Sequence, residues 1–141
     1  MSKLILGLTI FIVSLSVNAA VDPVAFVKKM PYRQVVKDAV LARCIAKVSD
    51  DNTLFSSDAA QIGVALLEWI PFNLDNGNEK INAIINKYKD TVNASHSERK
   101  PITKGVTLNC LRLYHSDELD RLVPQLIDGN PDRTWYQDNP Q

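Results

Sequence analysis

A chain of 141 residues, 45% hydrophobic and balanced at 16 basic against 16 acidic residues, has enough material for one ordinary domain with a buried core. The balanced charge and the lack of a basic stripe argue against nucleic-acid binding and against attachment to an anionic membrane, since both need concentrated positive charge. The first twenty residues read as a leader: Lys3 makes a basic start, Leu4 to Val17 is an almost unbroken apolar run, and Val17-Asn18-Ala19 brings the residues a signal peptidase reads. Cleavage is expected after Ala19 or Ala20, leaving residues 21–141 as one exported helical domain. The apolar run is roughly 14 residues, short of the roughly 20 that a spanning helix needs. No second such stretch follows and no cysteine stands just after the cleavage region, so no membrane anchor is expected. Losing Lys3 takes the basic count from 16 to 15, a net charge near minus one.

Tyr32 to Val48 is the first predicted helix. Val36, Val40 and Cys44 recur every four residues, with Val35, Ala39 and Val48 beside them, while Arg33, Lys37, Arg43 and Lys47 take the wet side. Ser49 to Phe55 reads as a loop. Ser56 or Ser57 then offers a side-chain oxygen to the free amides of a second helix, whose predicted inner side is Ala59, Ile62, Leu66, Trp69 and Ile70 and which Pro71 ends. Asp75-Asn76-Gly77-Asn78 is a cluster of turn formers, and Asn76 with Glu79 resembles a capping box into a third helix. There Ile81, Ile84, Ile85, Tyr88 and Val92 fall at offsets of 0, 3, 4, 7 and 11, the cleanest helical stripe in the chain.

The apolar pattern stops between Asn93 and Gly105, where Ala94-Ser95-His96-Ser97-Glu98-Arg99-Lys100-Pro101 cannot fill a core and predicts an exposed loop. Helical spacing resumes at Val106 with Leu108, Leu111 and His115. Ser116 offers a fresh cap, and Leu119, Leu122, Val123, Leu126 and Ile127 continue the stripe across Pro124, which removes a backbone donor and kinks or loosens the helix. One bent helix and two separate ones are both consistent with Val106 to Ile127. Asp128 to Gln141, with two prolines and a glycine, predicts an irregular tail in which Trp135 and Tyr136 either dock on the body or anchor a partner. The fold class is therefore all-α, a compact bundle of four to five helices.

Cys44 and Cys110, an even pair in an exported chain, read as a disulfide; the alternative is two buried thiols. Little else carries chemistry. His96 and His115 have no second histidine or cysteine at ligand spacing, so neither a metal nor another cofactor is expected. His115 reads as a hydrogen-bonded structural residue on a core-facing stripe, and His96 as either solvated or a contact residue. The carboxylates Asp117, Glu118 and Asp120 follow Ser116, where they favour the positive end of a helix dipole. Asp50 and Asp51 form another acidic pair, and no nucleophile motif occurs.

The segment Leu108-Asn109-Cys110-Leu111-Arg112-Leu113-Tyr114-His115-Ser116-Asp117-Glu118-Leu119-Asp120-Arg121-Leu122-Val123 resembles the Tai family of type VI secretion amidase immunity proteins, in the branch paired with the fourth class of amidase effectors. Its C-L-x-x-Y-H-S-x-x-L-x-x-L pattern carries the second cysteine of the pair. The resemblance extends to the leader, to Cys44-Ile45-Ala46, to Asp58-Ala59-Ala60 leading to Leu67-Glu68-Trp69, and to Arg133-Thr134-Trp135-Tyr136-Gln137-Asp138-Asn139-Pro140. It implies a periplasmic helical homodimer, not an enzyme, that binds a cognate cell-wall amidase effector and blocks its papain-like cysteine active site. A protruding element on a rigid base suits such a task. The expected contact residues are Asn93, Ser95, His96, Ser97, Glu98 and Arg99, with the turn at Asp75, Asn76 and Asn78 as a second surface. A helical adaptor, and a small periplasmic enzyme using His96 or His115, are the competing readings.

Overall fold

The computed structural model describes residues 22, 24–49, 53–91 and 105–140. The predicted leader, the acidic pair Asp50 and Asp51, and the whole of Asn93 to Arg99 lie outside the described residues. Among the described residues seven α-helices run in order: α1 (Ala25–Lys29), α2 (Tyr32–Val48), α3 (Leu54–Ala65), α4 (Gly77–Lys89), α5 (Val106–Tyr114), α6 (Asp117–Leu122) and α7 (Trp135–Asp138). Two 3-10 turns, Leu66–Trp69 and Val123–Leu126, extend α3 and α6. The described residues contain no strand, only the isolated bridges Pro31 to Thr134 and Phe72 to Ile127. The expected all-α class holds; the predicted helices correspond to α2 to α6, and the short α1 and α7 add to them.

Helix α2 has the predicted bounds and is the axis of the bundle, packed by α3, α4 and α5. Val35, Val36, Ala39, Val40 and Cys44 are buried along it, one stripe of a 3.6-residue period. Its opening turn has no side-chain cap. Instead the amides of Tyr32 and Arg33 donate to the carbonyls of Arg133 and Pro131 at 2.8 and 2.9 Å, so the tail satisfies donors that a helix start otherwise leaves free. Cys44 and Cys110 are joined by a disulfide, with Cα atoms 5.6 Å apart, tying α2 to α5.

Three local expectations are corrected. Helix α3 starts earlier than Ser56, because the Thr53 hydroxyl accepts from the Ser56 amide at 3.0 Å. Its inner side is Ser56, Gly63, Leu67 and Ile70, while Ile62 is exposed. The Asn76–Glu79 box does not form: Asn76 makes no side-chain cap, and the Asn73 carboxamide oxygen accepts from the Asn76 amide instead. Helix α5 turns Asn109, Cys110 and Leu113 inward, leaving Leu108, Leu111 and His115 exposed, so His115 is not on a core-facing stripe.

Val106 to Ile127 resolves into two helices with Ser116 as the second cap, its hydroxyl accepting from the Leu119 amide at 3.1 Å. Pro124 sits in the following 3-10 turn, where a missing amide costs no α-helical bond. The tail is irregular except for α7, which carries a complete capping box between Thr134 and Gln137. Trp135 docks edge-on against Trp69 at 5.9 Å and packs on the core. Leu113, Leu119, Leu126 and Ile81 are fully buried, each contributing about 2 kcal/mol of apolar burial.

Candidate functional site: the braced ends of segment 92–104

Helix α4 ends at Lys89 and α5 begins at Val106, so both bracket the segment that carries the predicted contact residues. Asn109 is the buried polar residue of this corner, 1% exposed. Its carboxamide nitrogen donates to the carbonyls of Lys89 at 3.0 Å and Thr91 at 2.7 Å. Lys89 is the last residue of α4 and Thr91 lies two residues past it, where helix-end carbonyls look outside the helix for partners, so one side chain of α5 caps α4 and fixes where the chain leaves it. On the return side Gly105 lies in the left-handed region at φ 61°, a conformation glycine adopts without steric cost.

The same corner is tied to the rest of the bundle. Cys110, adjacent to Asn109, carries the disulfide to α2. Lys87 on α4 pairs with Glu118 on α6 at 2.7 Å, and the Tyr88 hydroxyl donates to the same carboxylate at 3.3 Å. The Lys87 ammonium holds the Glu118 carboxyl below the usual carboxylate range, and Glu118 in turn raises the Lys87 pKa. Exposed pairs of this kind contribute little to stability in water. The corner therefore rests on the Asn109 cap and the covalent bridge.

The second predicted surface is at the far end of α4. Asp75 and Asn76 are exposed in the turn before it, and thirteen helical residues at about 1.5 Å each put roughly 20 Å between that turn and Thr91. The turn therefore stands at the opposite end of α4 from the point where the chain enters segment 92–104. Asn78 is on α4 itself, and its side-chain oxygen accepts from an Arg43 terminal nitrogen at 2.8 Å. Between the two ends runs a groove of about 530 Å³ formed by α2, α3 and α4 and lined by Arg43, Lys47, Ser57, Val64, Asn82 and Asn86, among others. Neither Asn109 nor Arg43 was an expected site residue. A lone asparagine inside an apolar stripe was the available sign for the first.

Of the two histidines, His96 lies outside the described residues. His115 is exposed at the end of α5, its ring edge-on to Tyr114 at 5.0 Å, and no group of three or more ligating side chains able to hold a metal occurs among the described residues.

Comparison with known families decides the identity. Residues 34–123 match the model of Tai4, the type VI secretion system amidase immunity protein. The chain belongs to the Tai4 family. A solved structure from work on new type VI-secreted toxins and self-resistance proteins in Serratia marcescens is 59% identical, covers 85% of this chain and 94% of its own, and superimposes with a TM-score of 0.78. A second, from the Tae4/Tai4 effector–immunity system of Salmonella typhimurium, is 24% identical over 74% of this chain and 98% of its own, with a TM-score of 0.62, a likeness of fold. No curated protein matches. The Tai4 scaffold in this chain is α2 to α6, and the matched region contains both bridge cysteines, Asn109 and the segment that α4 and α5 bracket.

Proposed function

We propose that this Tai4 protein is exported by a cleaved leader to the periplasm, where as a homodimer it binds its cognate peptidoglycan amidase effector and covers the papain-like cysteine active site with the segment 93–100. Binding protects the producing cell from its own and its siblings' toxin. The observation that carries the reading is the bracing of that segment's two ends. Asn109 caps the helix from which the segment departs, and its neighbour Cys110 is bonded to the central helix. A loop that enters a cleft loses less conformational freedom on binding when its ends are already fixed, and exposed loops on rigid supports are common binding elements. Ser95, His96, Ser97, Glu98 and Arg99 are the proposed tip.

The test is coexpression of the full chain with a periplasm-directed cognate amidase, scoring lysis together with peptidoglycan cleavage by the purified pair. Protection with stoichiometric loss of cleavage is expected. Replacing residues 95–99 by alanine and glycine should abolish protection while the melting temperature stays unchanged; full protection by that variant would refute the loop assignment. Light scattering of the purified mature chain should return twice the mass of one copy.

A further inference from the structure

Among the described residues, the groove between α2, α3 and α4 holds a cation without an anion. Arg43 is half-buried there, and its guanidinium bonds to two neutral carboxamides, Nη1 to Asn78 at 2.8 Å and Nη2 to Asn82 at 3.1 Å. Those are two of its five N–H groups, and no carboxylate pairs with it among the described residues. Withdrawal from water lowers its pKa. A partly desolvated charge without a counter-ion is costly, and such arrangements persist at sites where a ligand supplies the missing charge.

The arginine is also held in one place. Gly63 of α3 packs on its stem so closely that a Cβ there would lie 2.4 Å from the Arg43 Cγ. Asn78 and Asn82 fix the head from α4, four residues apart on one face. Lys47, one turn along α2, and Asn86, one turn along α4, continue the same lining, and no aspartate or glutamate among the described residues is in it. Val64, 58% exposed, gives the groove an apolar lip. A planar guanidinium with free donors, a second cation beyond it and amide groups alongside match the geometry and charge of a carboxylate.

We infer that this groove is a carboxylate-binding site that receives an aspartate or glutamate side chain of the bound effector, with an apolar neighbour of that residue resting on Val64. The choice of effector rests on the proposed function; the site itself does not. It would be a contact separate from the segment 93–100, placed along α4 and fixing the orientation in which the toxin is held.

Two measurements separate these claims. In the first, the nitrogen-15-labelled mature protein is titrated with N-acetylglutamate methylamide and with the glutamine counterpart. A saturable shift of the Arg43 Nε–H resonance with the acid, at least about tenfold weaker with the amide and absent in Arg43→Met, is expected. Equal responses to both probes, or no saturation, would overturn the site. In the second, affinity for the purified amidase is compared among the unaltered chain, Arg43→Met, Arg43→Lys and Asn82→Ala. Arg43→Met should bind at least about tenfold more weakly with a reduced dependence on salt. Arg43→Lys should be intermediate, and Asn82→Ala, which keeps the charge but frees it, should also weaken binding. Unchanged affinity in Arg43→Met would remove the effector as occupant. Failure of the unaltered chain to bind any amidase would overturn both the proposed function and that occupant, and the titration would still decide the carboxylate site.

Discussion

Asn109 does the most with one side chain. It satisfies two carbonyls at the end of α4 from a position that is itself inaccessible to water, and a buried acceptor stripped of its partner costs about 1–3 kcal/mol. Asn109→Asp keeps the shape but faces two carbonyl oxygens with an acceptor. It should therefore lower the unfolding free energy by about 2 kcal/mol or more in a denaturant titration, and weaken effector binding beyond what that loss explains. Unchanged stability would show that the cap is dispensable. This residue also marks where hydropathy misleads. The pattern put Leu108 and Leu111 inside, whereas α5 is oriented by a disulfide half and a polar cap at adjacent positions, Cys110 and Asn109, and the two leucines face out. Gly63 is silent for a related reason: its contribution is the absence of a side chain against Arg43, which no apolar periodicity records.

Among the elements, α2 and α4 were legible almost residue by residue, because their buried valines and isoleucines follow the helical period without interruption. Helix α3 was not, since its bounds follow the Thr53 cap and its face follows the close approach to α2. The bridge between α2 and α5 spans a separation of 66 residues, a closure that chain entropy values at on the order of 4 kcal/mol. Replacing both cysteines by alanine should lower the unfolding free energy by about that amount, read from the denaturant midpoint; a shift below about 1 kcal/mol would mean that the reduced chain retains the loop's order. The junction of α2 and α7 titrates instead. Tyr32 donates to Asp138 at 2.7 Å, and burial together with that bond pushes the phenol up to about 12. The stability it contributes is whole below pH about 10 and is lost as the pH rises from there through the folded-state value of about 12. Asp138, held low by Tyr32 and Arg133, acts in the opposite range: its contribution is present above the ordinary carboxylate pKa and lost as acid protonates it. Trp135 fluorescence should report tail release above pH 10 in the unaltered chain, and Tyr32→Phe should lack that alkaline step. A Trp135 signal that stays flat through pH 12 would sink this account.

At the scale of the whole molecule, family membership fixes an immunity role while the site chemistry stays hidden from composition. Asn78, Asn82 and Asn86 stand four apart in the sequence, the last two lining the groove, yet the meaning of the first two depends on Arg43 reaching them from another helix. The segment between α4 and α5 shows in the sequence only as a break in the pattern between two good helices, and the bracing of its ends does not show at all, because the brace is a tertiary contact. Compartment is the matching global prediction: a chain begun at residue 21 without its leader should fold in vitro, remain in the cytoplasm and fail to protect cells from periplasm-directed amidase. Protection by that variant, with no protein in the periplasm, would overturn the assignment. The tail has a consequence for heredity. Because the carbonyls of Pro131 and Arg133 cap the helix on which α3, α4 and α5 pack, a nonsense codon at position 131 would strip that helix of its cap as well as losing α7. Late frameshifts in such a gene should therefore behave as null alleles, and lineages that keep the toxin should retain these last codons as faithfully as the core.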